Sequence, residues 1–279
     1  MNIFGGKWTE EKIDVFIKYL KAYMQILKKY PQWPLIYFDG FAGSGEIQTN
    51  EDEIDFMEGV AIRVLSLKEP RGFDMFYFVE KDQEKANTLL ETINKKFPEI
   101  TQKFLVWGDC NKKLLDLADF LKMPENKNYR GVVFIDPYGM QIKMESLKAL
   151  QGLHLDLWIL VPTGTAINRL LGRKKMSPEN WFTILGDFFG ISPSEIKKRF
   201  YKPSRQLNIF GETELNKIDR AVDEVAKLYK ERLNVIFKYV SNPLVMKNSK
   251  KATIFHFFMA SNVAIAMKIA NDIVKITSK

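Results

Sequence analysis

The chain has 279 residues, 46% of them hydrophobic, so it can bury one large core or a core with an inserted lobe. No apolar run approaches the roughly 20 residues that cross a bilayer, and the first residues lack signal-peptide features, so we expect a cytoplasmic protein with no membrane partner. One cysteine and two histidines exclude an internal disulfide and a zinc-type cluster, while a net charge of +8 favours a polyanionic partner.

The first predicted element is an amphipathic helix over residues 8–29, with Thr9 as its cap. Short apolar runs then alternate with segments of helical spacing. The predicted strands are 35–38, 73–79, 104–107, 132–135 and 157–161, and the predicted helices between them are 60–68, 83–97, 111–121 and 144–150. This alternation predicts a doubly wound α/β sheet with buried parallel strands.

The alternation stops at Pro162, and residues 163–232 are predicted to be largely helical and are rich in Lys and Arg. Two strand-like runs, 235–246 and 253–259, predict a closing hairpin, and a helix over 264–276 ends the chain. We therefore predict an α/β domain with a mostly parallel, seven-stranded sheet and an inserted helical lobe. The predicted division is an N-terminal helix at 1–30 packing on the core, the α/β domain at 31–165 and 233–279, and a basic lobe at 166–232.

Acidic residues end four successive predicted strands: Asp39, Glu80, Asp109 and Asp136. In an open parallel sheet, ligands bind beyond the carboxyl ends of the strands, near the point where the strand order reverses. These four carboxylates are therefore expected to line one site.

A glycine-rich loop follows the first predicted strand, and its glycines let a ligand lie against bare backbone. The loop has neither the lysine of a phosphate-binding loop nor the G-x-G-x-x-G spacing of a dinucleotide site. S-adenosylmethionine (SAM) fits better, with Asp39 near its ammonium group, Glu80 on the ribose hydroxyls and Asp109 on the adenine amino group. The predicted cofactor-binding residues are Asp39, Gly40, Phe41, Ala42, Gly43, Gly45, Glu80, Lys81, Asp109 and Cys110.

Each of these residues also has a simpler interpretation. A glycine pair after a strand is usually a tight turn, and Glu80 alone would be taken as a helix cap or a solvated charge. Cys110 is interpreted as a small buried residue rather than a nucleophile. Trp107 could pack on an adenine ring, but as the last residue of a predicted strand it is assigned to the core. The order of the four carboxylates along the chain favours the ligand site.

Two of the motifs resemble those of a known class of enzymes. Residues 39–45, Asp-Gly-Phe-Ala-Gly-Ser-Gly, resemble the cofactor loop of class I SAM-dependent methyltransferases, especially the D-x-F-A-G-S-G form of base-methylating enzymes. Residues 136–138, Asp-Pro-Tyr, are similar to their D-P-P-Y or N-P-P-Y tetrapeptide. The resemblance implies that Asp136, Pro137 and Tyr138 are catalytic: Asp136 accepts from the target amine, Pro137 fixes the backbone and Tyr138 stacks on a flipped base.

The combination of YFDGFAGSG, FVEKD, GDCN, FIDPYG and FHFFMASN is similar to the three-Cys-motif partner (TcmP) family, over roughly residues 8–275. That resemblance implies a methyltransferase-like fold and a partner protein with a three-cysteine motif, itself similar to radical SAM enzymes. Two features depart from the base-methylase pattern. The second proline is missing, and an acidic insert at 46–58 separates Asp39 from Glu80; we interpret the insert as a lid or docking loop.

Three functions remain open at this point. The first is methylation of a base in DNA or RNA, with phosphates held by Arg169, Arg173, Lys174, Lys175, Lys197, Lys198 and Arg199, and with Trp181, Phe200 and Tyr201 available for stacking. The second is a binding subunit that holds the cofactor for a partner protein and transfers nothing, which the missing proline favours. The third is methylation of a small molecule or a protein.

Overall fold

The structure, a computed structural model, describes residues 7–48, 56–167, 171, 179–207 and 213–277. In chain order, the strands are β1 (Leu35–Asp39), β2 (Glu46–Gln48), β3 (Phe56–Glu58), β4 (Met75–Glu80), β5 (Lys103–Trp107), β6 (Arg130–Ile135), β7 (Leu155–Val161), β8 (Tyr201–Leu207), β9 (Thr213–Lys217), β10 (Tyr239–Val240), β11 (Leu244–Lys247) and β12 (Thr253–Ser261). The helices are α1 (Lys7–Leu27), α2 (Val60–Leu65), α3 (Gln83–Lys96), α4 (Cys110–Lys122), α5 (Met144–Lys148), α6 (Glu179–Phe189), α7 (Pro193–Phe200), α8 (Ala221–Ile236) and α9 (Ala264–Thr277).

The central sheet has the strand order β10-β12-β7-β6-β1-β4-β5, and β11 also pairs with β12. Strands β7, β6, β1, β4 and β5 are parallel, whereas β12 is antiparallel to β7, β10 and β11. Because β10 and β11 share one edge position, the sheet is seven strands wide although eight segments build it. The predicted doubly wound, mostly parallel, seven-stranded sheet is confirmed.

Helices cover both faces of this sheet. One apolar cluster contains residues of α1, α2, α3 and α9, and it is rich in aromatic side chains such as Phe16, Phe134 and Trp158. The other cluster joins the opposite face to α4, α5 and the helices of the lobe. Alternate residues of the buried strands supply the two clusters, as in Tyr37 and Phe38 of β1, which explains their uninterrupted apolar sequence.

Two predictions about individual elements are wrong, and one strand pair was not predicted. Residues 235–246 are not one strand, because α8 continues to Ile236 and Pro243, which has no N–H to donate to a ladder, lies between β10 and β11. The lobe is mostly helical within its described residues, as predicted, but β8 and β9 form an antiparallel pair in it that the sequence did not predict. Pro203 favours the extended backbone that begins β8, because it disfavours helical conformation in the residue before it. Thr9 is not a cap, since α1 already includes Lys7.

The acidic insert at 46–58 begins and ends in the short antiparallel hairpin formed by β2 and β3. Its residues 49–55 lie outside the described part of the chain, so its interpretation as a lid or docking loop stays a prediction. Within the described residues, no helix is both long enough and apolar enough to cross a membrane.

Candidate cofactor and acceptor site

The strand order reverses between β1 and β6. The chain runs from β1 outward to β4 and β5, and then returns to the other side of β1 as β6 and β7. The loops that follow β1 and β6 therefore leave neighbouring strands in opposite directions and open a crevice between them. The glycine-rich loop and the Asp-Pro-Tyr loop flank this crevice, as the sequence predicts.

The glycine-rich loop is fixed to the strands on both sides of β1. The N–H of Gly40 donates to the carbonyl of Phe134 at 2.9 Å, and the N–H of Ala42 donates to the carbonyl of Val79 at 3.0 Å. Gly43 has φ +66°, and a Cβ at this position would meet no atom within 4 Å. The loop thus presents bare backbone to open space at Gly43, as close approach of a ligand requires.

Glu80 ties the end of β4 to this loop. Its Oε2 accepts from the N–H of Gly43 at 2.8 Å, and its Oε1 accepts from the N–H of Asp82 at 2.9 Å. A carboxylate offers about four acceptor positions, so each oxygen retains a lone pair that can accept from a ligand hydroxyl. The predicted contact with ribose is compatible with this geometry.

Asp39 is only 1% exposed, and its oxygens accept from the N–H of Phe41 and the hydroxyl of Tyr37, both at 3.1 Å. The pKa of Asp39 is raised to about 7: burial raises it most, the two hydrogen bonds lower it, and the charges of Asp136 and Glu80 raise it. Because β1 lies between β4 and β6, the carboxylates at the ends of these three strands are neighbours at one edge of the sheet. Asp39 can act on a cationic ligand through its charge and through the shape that its hydrogen bond to Phe41 gives the loop, and its position near the ammonium group of the cofactor stays a prediction.

Asp109 caps α4, and its Oδ1 accepts from the backbone N–H groups of Asn111 at 3.0 Å and Lys112 at 3.3 Å. Cys110 is buried, and a Cβ on Gly40 would lie 2.5 Å from its Sγ, so the thiol packs under the glycine loop. Burial, followed by the charges of Asp109 and Asp39, raises the pKa of Cys110 well above its ordinary value. Cys110 is therefore the small buried residue that the sequence suggested, and the adenine contact of Asp109 stays a prediction.

Trp107 is not a core residue. It is 63% exposed, because β5 lies at the edge of the sheet, and its Nε1 donates to the carbonyl of Lys81 at 2.7 Å. This hydrogen bond holds the indole beside the first residue after β4. The earlier alternative, an indole available to a nucleoside, fits this position better than the core assignment.

The loop after β6 is held by Asn111, whose Nδ2 donates to the carbonyl of Gln141 at 2.8 Å and whose Oδ1 accepts from the N–H of Lys143 at 2.9 Å. Tyr138 is exposed, and the Nζ of Lys85 lies 5.1 Å from the centre of its ring. Since Lys85 belongs to α3, this contact bridges the two sides of the crevice above the glycine loop. An aromatic surface is thus present near Asp136, with one face already in contact with an ammonium group.

Asp136 forms an ion pair that the sequence did not predict. The Nζ of Lys12 donates to its Oδ2, and Lys12 is buried although it belongs to α1. Lys12 shares a helical stripe with Phe16 and Tyr19, which lie four and seven positions further along and are both buried. The sequence did contain one indication of this ion pair, namely a lysine on an otherwise apolar stripe of a predicted helix.

The predicted phosphate-binding surface is mostly untested by the structure. Arg169, Arg173, Lys174 and Lys175 lie outside the described residues. Arg199 pairs with Glu224 at 2.6 Å and with Glu231 at 2.8 Å, so two carboxylates already neutralise its guanidinium. Lys198 is exposed, and Lys197 lies 5.0 Å from the ring centre of Phe182.

The stacking role of Phe200 and Tyr201 is wrong, because both are core residues of the lobe. A cleft of about 550 Å³ lies between α5 and the turn from α6 to α7, but none of the four strand-end carboxylates lines it. Arg232 in that cleft donates to the carbonyls of Phe189 and Gly190, and Ser192 and Glu195 form a capping box with each other. Its principal polar groups are thus satisfied internally, and the cleft is separate from the crevice.

No protein-family model and no curated protein matches the chain. Among solved structures, the chain is similar to a Legionella pneumophila protein of the DUF519 family, at 15% identity over 90% of this chain and 96% of that one, with a TM-score of 0.42. It is also similar to the N-terminal domain of EvdMO1 with SAH bound, at 11% identity over 88% and 80% of the two chains, with a TM-score of 0.41. Spermidine synthase from Thermotoga maritima gives 11% identity, coverage of 91% and 61%, and a TM-score of 0.42.

Proposed function

We propose that the protein is a SAM-dependent methyltransferase that acts on an exocyclic amine of a nucleic-acid base. The observation that carries this proposal is the hydrogen bond from Gly43 to Glu80 beside open space at the reversal of the strand order. It places bare backbone and a carboxylate where an open α/β sheet binds its ligand.

The charge of the crevice favours a cationic cofactor. Asp39, Glu80 and Asp136 follow three neighbouring strands of the sheet, and the stretch from residue 40 to residue 62 contains no Lys or Arg. A phosphate would be repelled here, whereas a sulfonium and an ammonium group would be attracted. Glu80 would hold the ribose hydroxyls and Asp109 the adenine amino group, with Trp107 beside them. The same residues suit S-adenosylhomocysteine (SAH), the product of transfer.

When bound, SAM supplies an electrophilic methyl group on its sulfonium. The chain's own contribution is then to hold the acceptor in line with that methyl group, and such positioning alone can supply a large part of the rate. Asp136 would accept from the acceptor amine, and the exposed ring of Tyr138 would stack on the base. Asp136 can also receive the proton that the methylated nitrogen loses.

Nucleic acid is the proposed partner because the chain carries a net charge of +8 and a basic lobe. Lys197 and Lys198 remain in the proposed contact surface together with Arg169, Arg173, Lys174 and Lys175. Arg199 is left out, since its charge is balanced within the lobe.

A second candidate function is a cofactor-binding subunit for a protein with a three-cysteine motif, as the resemblance to the TcmP family implies. One observation favours it: Oδ2 of Asp136 is already occupied by Lys12, and the loop lacks the second proline of the base methylases. Both candidates require the cofactor site, and they differ only in whether a methyl group is transferred.

The cofactor site is tested by calorimetric titration with SAH. We expect the wild-type protein to bind SAH and Glu80→Ala to bind it about 10- to 100-fold more weakly, because hydrogen bonds to a charged group are lost. Glu125→Ala, which removes an exposed carboxylate beyond α4, is the matched control and should bind as the wild type does. Absence of SAH binding by the folded wild-type protein would refute the proposal.

The ratio of SAM to SAH affinity is expected to rise between about pH 6 and about pH 8, by up to about 10-fold. Burial and neighbouring carboxylates raise the pKa of Asp39 to about 7, and a sulfonium favours its ionised form, so SAM binding releases a proton that SAH binding does not. Titrations in buffers of different ionisation enthalpy measure this proton. Asp39→Asn should give a ratio that is flat with pH, and a wild-type ratio that is equally flat would contradict the sulfonium's proximity to Asp39.

A further inference from the structure

Lys12 reaches the crevice from α1, outside the α/β domain. Lys12 is only 4% exposed. Its Nζ donates to Oδ2 of Asp136 and lies 5.7 Å from the ring centre of Trp8. The side chain of Asp136 keeps 24% of its surface exposed, so this carboxylate is still open to the crevice. A buried ammonium group thus stands beside the carboxylate that we assign to the acceptor.

The polar atoms around this ion pair are only partly satisfied. An ammonium group has three N–H donors, and among the described residues Asp136 is the sole hydrogen-bond acceptor for Lys12. No described residue donates to Oδ1 of Asp136. Thr9, on the same face of α1, is 6% exposed, and its Oγ1 has no hydrogen-bond partner in the described part of the protein.

Buried polar atoms without partners usually mark the position of a water or a ligand. Here, spare donors on Lys12 lie next to a spare acceptor on Asp136. A ligand that accepts from Lys12 and also donates to Asp136 must carry a hydrogen-bond acceptor beside a donor. On the Watson–Crick edge of adenine and cytosine, the exocyclic amine lies beside an unprotonated ring nitrogen, which is the required pattern. On the same edge of guanine, the ring nitrogen beside the amine is protonated and cannot accept from Lys12.

We propose that Lys12 is a specificity-determining residue that donates to the ring nitrogen next to the target amine, while Oδ1 of Asp136 accepts from the amine. The acceptor is then adenine or cytosine in a single-stranded or flipped-out state. This inference rests on the proposed methyltransferase function and assigns to Lys12 a role that the motif around Asp136 does not contain. Lys12 also holds the carboxylate in place, because it neutralises one of three neighbouring negative charges.

The test uses base analogues in which only the ring nitrogen is changed. Label transfer from S-adenosyl-[methyl-3H]methionine is measured for single-stranded pools of random sequence containing adenine or 1-deazaadenine, and cytosine or 3-deazacytosine. The wild-type protein should lose about 10-fold or more of its transfer when the ring nitrogen of the target base becomes C–H. Lys12→Met should lower transfer to the natural base by a similar factor and show no further loss with the analogue.

Lys18→Met, an exposed substitution on the same helix, is the control and should retain the wild-type response to the analogues. SAH titration shows whether the Lys12→Met variant still folds. If it does not fold, the double variant Lys12→Met with Asp136→Asn is used, because it removes both charges of the ion pair. Equal transfer to natural and analogue bases by the wild type, or label on guanine or on a ribose hydroxyl, would overturn the inference and leave methyl transfer established. Absence of transfer by a wild-type protein that binds SAH would reject the base-methylating function, and this inference with it.

Discussion

Replacing Gly43 with valine is expected to weaken SAH binding by at least about 100-fold, a loss of about 2.7 kcal/mol of binding free energy. Gly43 has φ +66°, where a β-branched residue is strained by roughly 1–3 kcal/mol. The new side chain would also enter the space that faces the ligand and disturb the N–H that donates to Glu80 at 2.8 Å. Calorimetric titration with SAH measures the loss directly.

Gly152→Val provides the matched control for backbone strain. Gly152 has φ +78°, and a Cβ there would also meet no atom within 4 Å, but the residue precedes β7 at the opposite end of the sheet. Both variants should lose stability to a similar extent, while only Gly43→Val should lose SAH affinity. Equal SAH affinities in the two variants would show that the cofactor does not bind at the glycine loop.

The central sheet was predictable because its inner strands are buried on both faces. β1, β6 and β7 are almost continuously apolar. Such a short apolar run indicates both that the segment is a strand and that both of its faces are buried. The division of residues 235–246 into the end of α8, β10 and the start of β11 was not predictable in the same way. The apolar residues at the end of α8 continue into β10, and no local period marks the boundary between them.

The carboxylates of the site were predictable because their position depends only on where strands end. Asp39, Glu80 and Asp136 lie at the carboxyl ends of parallel strands, and parallel strands bring those ends to one edge. The exposure of Trp107 was not predictable, because it depends on β5 being an edge strand, which the order of elements along the chain does not specify. A short apolar run looks the same in the centre of a sheet and at its edge.

Lys12 was hidden from sequence reasoning for a related reason. It is 124 positions from Asp136, and only the packing of α1 across the sheet brings the two side chains together. The predicted division between an N-terminal helix and the α/β domain therefore separates two halves of one site. We infer that α1 belongs to the functional unit, because it supplies half of the acceptor pair.

Asp136→Ala is expected to reduce methyl transfer by at least about 1,000-fold while SAH affinity stays within about 3-fold of the wild type. The substitution removes the acceptor for the target amine and leaves the buried ammonium of Lys12 unpaired, whereas Glu80 and the glycine loop keep their contacts. The measurement compares label transfer from S-adenosyl-[methyl-3H]methionine to nucleic acid with calorimetric SAH affinity in the same preparations.

This prediction separates the two proposed functions, because a binding subunit has no transfer to lose. Asp187→Ala is the control: it removes an exposed carboxylate that pairs with Lys143 at 3.0 Å, at the far end of the loop after β6, and should leave both measurements unchanged. Transfer that persists in Asp136→Ala would place the acceptor elsewhere in the crevice. A wild-type protein that binds SAH and transfers no label would instead favour the binding subunit, whose ion pair between Lys12 and Asp136 then closes the acceptor position permanently.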